Sequence, residues 1–186
     1  MAYVAWSVVF GEQPSAAKWN ILGTNDAIFN TYIGSGTNAI QQVQYQQIGT
    51  STTGTGIIPN DDTIPQNTEG DQYLTKSITP LSATNILSID VRLFGAGTIS
   101  ESLTVALFQD STANALAAIG AWQQTSGGMF EHSLRHTMVA GTTSSTTFKV
   151  RAGLGAAGTF TFNGASGSRK FGGVATSSIF ITEYKV

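Results

Sequence analysis

Residues 85–109 read NILSIDVRLFGAGTISESLTVALFQ. In the first half Leu87, Ile89, Val91 and Leu93 fall on every second position, with Ser88, Asp90 and Arg92 between them. Successive side chains of a strand point to opposite faces, so this spacing predicts a strand with one apolar and one polar face. GAGT (95–98) then supplies the small, permissive residues of a turn. Leu103, Val105 and Leu107 restart the alternation on a second strand. The period is two in both runs, not the 3.6 of a helix.

The same pattern extends in both directions. QYLTKSIT (72–79) precedes it, and NALAAIGAW (114–122), MFEHSLRHTMV (129–139), TTFKVRAG (146–153), GTFTFN (158–163) and SSIFITEYKV (177–186) follow. Between them lie the turn signals QDSTAN, TSGG, AGTTSS and GLGAAG. Short strands at close spacing with no helix among them predict a β-sandwich. Eight such segments, counted over residues 72–186, is also the strand number of a jelly roll.

Composition narrows the function. Charged residues make up only 11% of the 186, against a typical figure of about 25%. Ser, Thr, Gly, Asn and Gln take their place, giving a polar but nearly uncharged surface with few groups for acid–base chemistry. A net charge of −2 with no Lys/Arg run gives no electrostatic footprint for nucleic acid. The absence of cysteine excludes disulfides, thiolate metal sites and cysteine nucleophiles. MAYVAWSVVF (1–10) is apolar but too short to span a bilayer and has no basic flank, the first lysine being Lys18. The expectation is an unsecreted product with no membrane insertion.

Before the strands, PSAAKWNILGTNDAIFNTYIG (14–34) predicts a short N-terminal helix opened by Pro14 and Ser15 and closed by Gly34. Leu22, Asn25, Phe29 and Tyr32 follow spacings of 3, 4 and 3. That is either one seam of an oligomeric helix bundle, with Asn25 setting register, or the buried stripe of a single amphipathic helix. Residues 37–70 are rich in Gly, Thr, Ser, Asn and Gln and read as a linker. It holds one short strand, QQVQYQQI, with Val43 and Tyr45 on one face. Asp61 and Asp62 sit between Pro59 and Pro65 without the spacing of a calcium loop, so a turn role is expected. The expected division is therefore 1–36 for attachment or trimerisation, 37–70 as linker and 71–186 as the head.

The last strand asks for a partner. Ile179 and Ile181 point one way, while Phe180, Tyr184 and Val186 point the other, so both faces are apolar. Leaving Phe and Tyr in water forgoes about 2 kcal/mol each, so either another element or another subunit covers that row, and an oligomer interface at Phe180 and Tyr184 is the favoured expectation. His132 and His136 share a face with Phe130, Leu134 and Met138 and are candidate interfacial histidines, buried neutral or, at a symmetry axis, brought together by its copies. No metal site or cofactor is expected.

Catalytic constellations are not apparent. No G-x-S-x-G elbow is present, and Asp71, Asp90, Glu101, Asp110, Glu131 and Glu183 show no pairing spacing. The glycine-rich GSRKFGG (167–173) is followed by a strand and lacks the P-loop order, so it is expected to be a loop rather than a phosphate site. Loops 95–100, 110–113, 124–128 and 164–173 are candidate contact loops by position.

IIPNDDTIPQNTEGDQYLTKSITPLSATNILSIDV (57–91), TVALFQDSTANALAA (104–118), LRHTMVAGTTSSTTFKVRAG (134–153) and SRKFGGVATSSIFITEYKV (168–186) resemble the C-terminal head domains of bacteriophage tail-fibre and minor virion proteins. GEQPSAAKWNILGTNDAIFN (11–30) is similar to the short helical leader of such proteins. The resemblance implies an all-β, jelly-roll head of the complement C1q and tumour necrosis factor type. It would assemble as a homotrimer, belong to a virion assembled in the host cytoplasm, and lack enzymatic activity. Implied partners are other virion proteins through the N-terminal segment and a host surface glycan or protein. Because little chain precedes the head, the resemblance favours a compact spike, fibre knob or decoration protein over a long fibre. A decoration or assembly protein without receptor binding is the alternative, and a polysaccharide hydrolase a more distant one.

Overall fold

The computed structural model describes residues 38–186; the expected N-terminal helix, with Leu22, Asn25, Phe29 and Tyr32, lies outside them. The strands are β1 (Ile40–Ile48), β2 (Thr52–Gly54), β3 (Asp71–Ile78), β4 (Ile86–Gly97), β5 (Ser102–Gln109) and β6 (Ala117–Trp122). They continue as β7 (Met129–Val139), β8 (Thr146–Leu154), β9 (Phe160–Phe162), β10 (Gly164–Ala165), β11 (Ser168–Arg169) and β12 (Ser177–Tyr184). A 3₁₀ turn, Phe171–Gly173, stands before the last strand. All eight segments expected between residues 72 and 186 are extended.

β1, β12, β4 and β7 lie side by side in one antiparallel sheet, and β3, β8, β5 and β6 in the facing one. β9 pairs with the far end of β4, beyond the reach of β12, and carries β2 on its other edge. The chain thus pairs from the outside inward: β1 with β12, β3 with β8, β4 with β7, β5 with β6. A long antiparallel ribbon rolled in this way is a jelly roll.

This winding changes the place of residues 37–70. β1 is the first strand of the roll, so the sandwich begins at Ile40 rather than at residue 71. Its inward positions are polar, which hides its role, but they are bonded. The Gln42 amide donates to Thr79 O at 2.8 Å and to Glu183 Oε2 at 2.6 Å, and Gln46 Oε1 accepts from the Thr75 amide at 2.9 Å.

The core lies between the sheets. Leu87, Ile89, Val91 and Leu93 of β4, Leu103, Val105 and Leu107 of β5, Phe148 and Val150 of β8 and Ile179 and Ile181 of β12 are all buried. Each side chain of this size gains roughly 1.5–3 kcal/mol from burial. Tyr73 stacks on Phe162 at 4.9 Å and meets Phe160 edge-on at 5.3 Å. Gly95 interrupts β4 because the Phe160 ring occupies the place of a side chain there.

β5 is buried on both faces, unlike a strand with one wet side. Its Ala106 and Phe108 pack with Ile58 in a second small cluster. Residues 57–67 roof that cluster: the Ile58 amide donates to Leu154 O at 3.1 Å, Ala115 to Pro65 O at 2.9 Å and Asn67 to Ala113 O at 2.8 Å. Within this roof Asp61 Oδ1 accepts from the Thr63 amide at 2.9 Å, the expected turn.

Candidate adhesive surfaces

Two surfaces carry the candidate residues: the outer face of the β1–β12–β4–β7 sheet and one end of the roll. On the sheet, cross-strand pairing sets Tyr45, Phe180, Asp90 and Arg135 in one row. The Tyr45 and Phe180 rings stack at 5.5 Å and 14°, yet the residues stay 60% and 40% exposed. Ile40, Val43 and Val139 are exposed apolar residues on the same strands. Tyr184, four residues along β12 on the same face, is half-buried. On β4 and β7 the face turns charged. Arg135 donates to Asp90, and Arg92 to Glu131, in solvent-exposed pairs that water and salt screen. One half of this face is therefore apolar and the other ionic.

The histidines fall differently from each other. His132 is 3% exposed within its own chain, the buried alternative of the two expected for it. Burial holds its imidazole below the usual value, opposed weakly by the Leu103 backbone, and neither ring nitrogen has a partner of hydrogen-bond geometry. His136, four residues on, is half-buried.

At the end of the roll the winding gathers loops that are far apart in sequence. Loops 95–100, 124–128 and 164–173 come together there, whereas 110–113 lies at the opposite end. Gln123, completely buried, pins the first two: its Oε1 accepts from Gly97 N, and its amide donates to Gly97 O and Ile99 O and to Thr125 O. Ser126 Oγ reaches Thr98 O at 2.7 Å, and the Thr98 amide reaches Thr159 O at 3.0 Å. Sequence reading missed Gln123 because a glutamine after a tryptophan carries no mark of burial.

The carboxylates are occupied structurally. Asp71 accepts from Gly56 N, Asp110 from Thr146 Oγ1 and Thr147 N, Glu69 from Gln66 N and Glu101 from Ser102 N. Glu183 is fully buried and accepts from Gln42, Asn85 and the Leu81 and Ser82 amides. Among the described residues no group of three or more His, Asp or Glu is placed to hold a metal, and no helix is long and apolar enough to cross a membrane.

No family model and no curated protein matches this chain. Solved structures similar to it include the C-terminal domain of EclA, a sugar-binding protein, at 17% identity over 73% of this chain and 76% of that one, with a TM-score of 0.33. Another is infectious bursal disease virus, Gx strain, at 11% identity over 78% of this chain and 36% of that one, with a TM-score of 0.36. A third is the enzymatically active domain of bacteriophage CBA120 tailspike protein 4, at 18% identity over 66% of this chain and 19% of that one, with a TM-score of 0.27. The neighbours are β-rich, as this chain is.

Proposed function

We propose that this chain is a non-enzymatic structural protein of a phage virion: a homotrimeric jelly-roll head that contacts a host surface glycan or protein. Its N-terminal segment joins other virion proteins. The observation that carries the reading is the stacked Tyr45–Phe180 pair, left exposed on an otherwise well-formed sheet. An exposed aromatic patch rimmed by ion pairs has the anatomy of an oligomer interface, apolar at its centre and polar at its edge. The non-enzymatic part is supported by the carboxylates, which are bonded to backbone amides and side chains in loops or paired with arginines on the sheet. With the sheet face occupied by neighbouring subunits, the gathered loop end is left outward for adhesion.

The test combines size with adsorption. Purified chain is expected to sediment as a trimer, and fluorescently labelled trimer to adsorb saturably to bacterial host cells, displaced by unlabelled protein. A trimer that decorates virions but adsorbs to no cell contradicts the receptor role. Turnover of host polysaccharide by the purified chain contradicts the non-enzymatic one.

A further inference from the structure

At the loop end, residues 49–51 face residues 167–173 across a solvent-open cleft of about 670 Å³. One wall is held from behind by Asn163, which is 1% exposed and turns the chain out of β9 at φ 53°. Its Nδ2 donates to Ile48 O at 2.7 Å and to Thr50 O at 3.1 Å, and its Oδ1 accepts from Ser177 Oγ at 2.7 Å. Ser177 in turn accepts from the Phe94 amide at 2.9 Å. The wall is thereby fixed to the sheet. The two walls meet at Gly49 and Gly173, where a Cβ on Gly49 would stand 3.0 Å from Gly173 O.

Arg169 lines this cleft and differs from the other arginines. Arg92 and Arg135 are paired with carboxylates, and Arg151 donates to Glu69 O and Gly70 O at 2.6 Å each. The Arg169 side chain has no hydrogen bond or ion pair among the described residues, its backbone pairing with Gly164. Its guanidinium lies along the Gly173 backbone, with Nη1 3.2 Å from where a Cβ would be. Ser51 also lines the cleft, and its hydroxyl is buried without a partner. On the same loop Phe171 adopts φ 51°, a rare conformation for a bulky residue, and holds its side chain 63% exposed, 6.3 Å from Phe94. The smaller cleft around Asp110, Lys149 and Arg151 has no such free group, because Lys149 and Arg151 donate to backbone carbonyls.

We propose that this cleft binds an acidic saccharide, Arg169 taking its carboxylate and Thr50 facing its hydroxyls. Phe171, beside the cleft residue Gly172, offers an apolar surface to the C–H face of an adjoining sugar. A guanidinium matches a carboxylate with two parallel donors. The inference rests on the adhesive reading above and names the class of ligand for it.

Calorimetry of the full chain would compare sialyllactose with lactose, and oligogalacturonate with its methyl ester. The expected result is binding of at least one acid, with its neutral counterpart at least tenfold weaker. Arg169→Ala should lose binding about tenfold or more, the range of a hydrogen bond to a charged group. Lys170→Ala, removing the adjacent cation outside the cleft, should bind within twofold of the parent, and both variants should keep its melting temperature. The proposal is overturned if neither acid binds better than its neutral partner, or if Arg169→Ala binds like the parent. Inorganic phosphate binding as tightly as the sugars would also overturn it, leaving an anion site only. Cell adsorption separates the two readings: parent and Arg169→Ala adsorbing equally sinks the cleft and keeps the adhesive role, whereas a parent that adsorbs to no cell sinks both.

Discussion

Glu183 and His132 make the fold sensitive to acid, in two separate windows. Burial raises the Glu183 carboxyl, but hydrogen bonds from Asn85, Gln42 and the Leu81 and Ser82 amides outweigh it and hold the group below its ordinary value of 4.5. The unfolded chain therefore takes up a proton first as pH falls. Glu183 stabilises the fold above pH 4.5, and that contribution disappears as pH drops through the lowered folded value. His132, kept neutral by burial, has the same sign at higher pH. Its unfolded form charges near 6.5, so stability is whole above that pH and declines below it. Urea midpoints measured from pH 8 to pH 3 should fall first below about 6.5 and again below about 4.5. His132→Leu should abolish the first decline and change stability at pH 8 by no more than about 1 kcal/mol, since it removes two unpartnered nitrogens. Glu183→Ala should cost about 3 kcal/mol at pH 7, because it strands several donors at once. A midpoint flat from pH 8 to pH 5 would contradict the role given to His132.

Among the elements, β4 and β5 were plain in the sequence because their inward positions are aliphatic and their period is two. β12 declared its two-sided character through Ile179 and Ile181 against Phe180. β1 did not, because its inward positions Gln42, Gln44 and Gln46 are polar, and Gln42 and Gln46 are stabilised by hydrogen bonds that form only when the roll closes. The roof over Phe108 was equally hidden, since an aperiodic connector gives no sign of which face it covers. Of the candidate contact loops, 110–113 and 124–128 lie between strands, whereas β4 runs on through residues 95–97 and 164–173 holds the short β10–β11 pair; only the winding brings three of them together. Gln123 and Asn163 hold that end, and nothing in a lone Gln or Asn distinguishes a buried brace from a surface residue. Gln123→Ala should therefore cost about 2–3 kcal/mol and speed hydrogen exchange at residues 97–100 and 124–128 before the sheets respond. Gly95→Val should cost about 2 kcal/mol or more by driving β9 and its Phe160 ring off β4, read as a lower urea midpoint.

For the whole molecule, the proposed function gives the stacked aromatic pair on one outer sheet to a second copy of the chain and the gathered loops at one end to a host surface. The low charge of the surface fits this arrangement, because copies can pack without repulsion while the polar loops remain hydrated. Phe180→Asp places a charge in the middle of the apolar half of the sheet and should separate the subunits without unfolding them, since Phe180 is 40% exposed and outside the core. Sedimentation equilibrium of the parent chain and Phe180→Asp tests this most directly. The expected result is a parent species of about three times the 19.5 kDa chain mass and a folded Phe180→Asp monomer. A parent that sediments as a single 19.5 kDa chain at micromolar concentration, or a Phe180→Asp protein that remains trimeric, would contradict it.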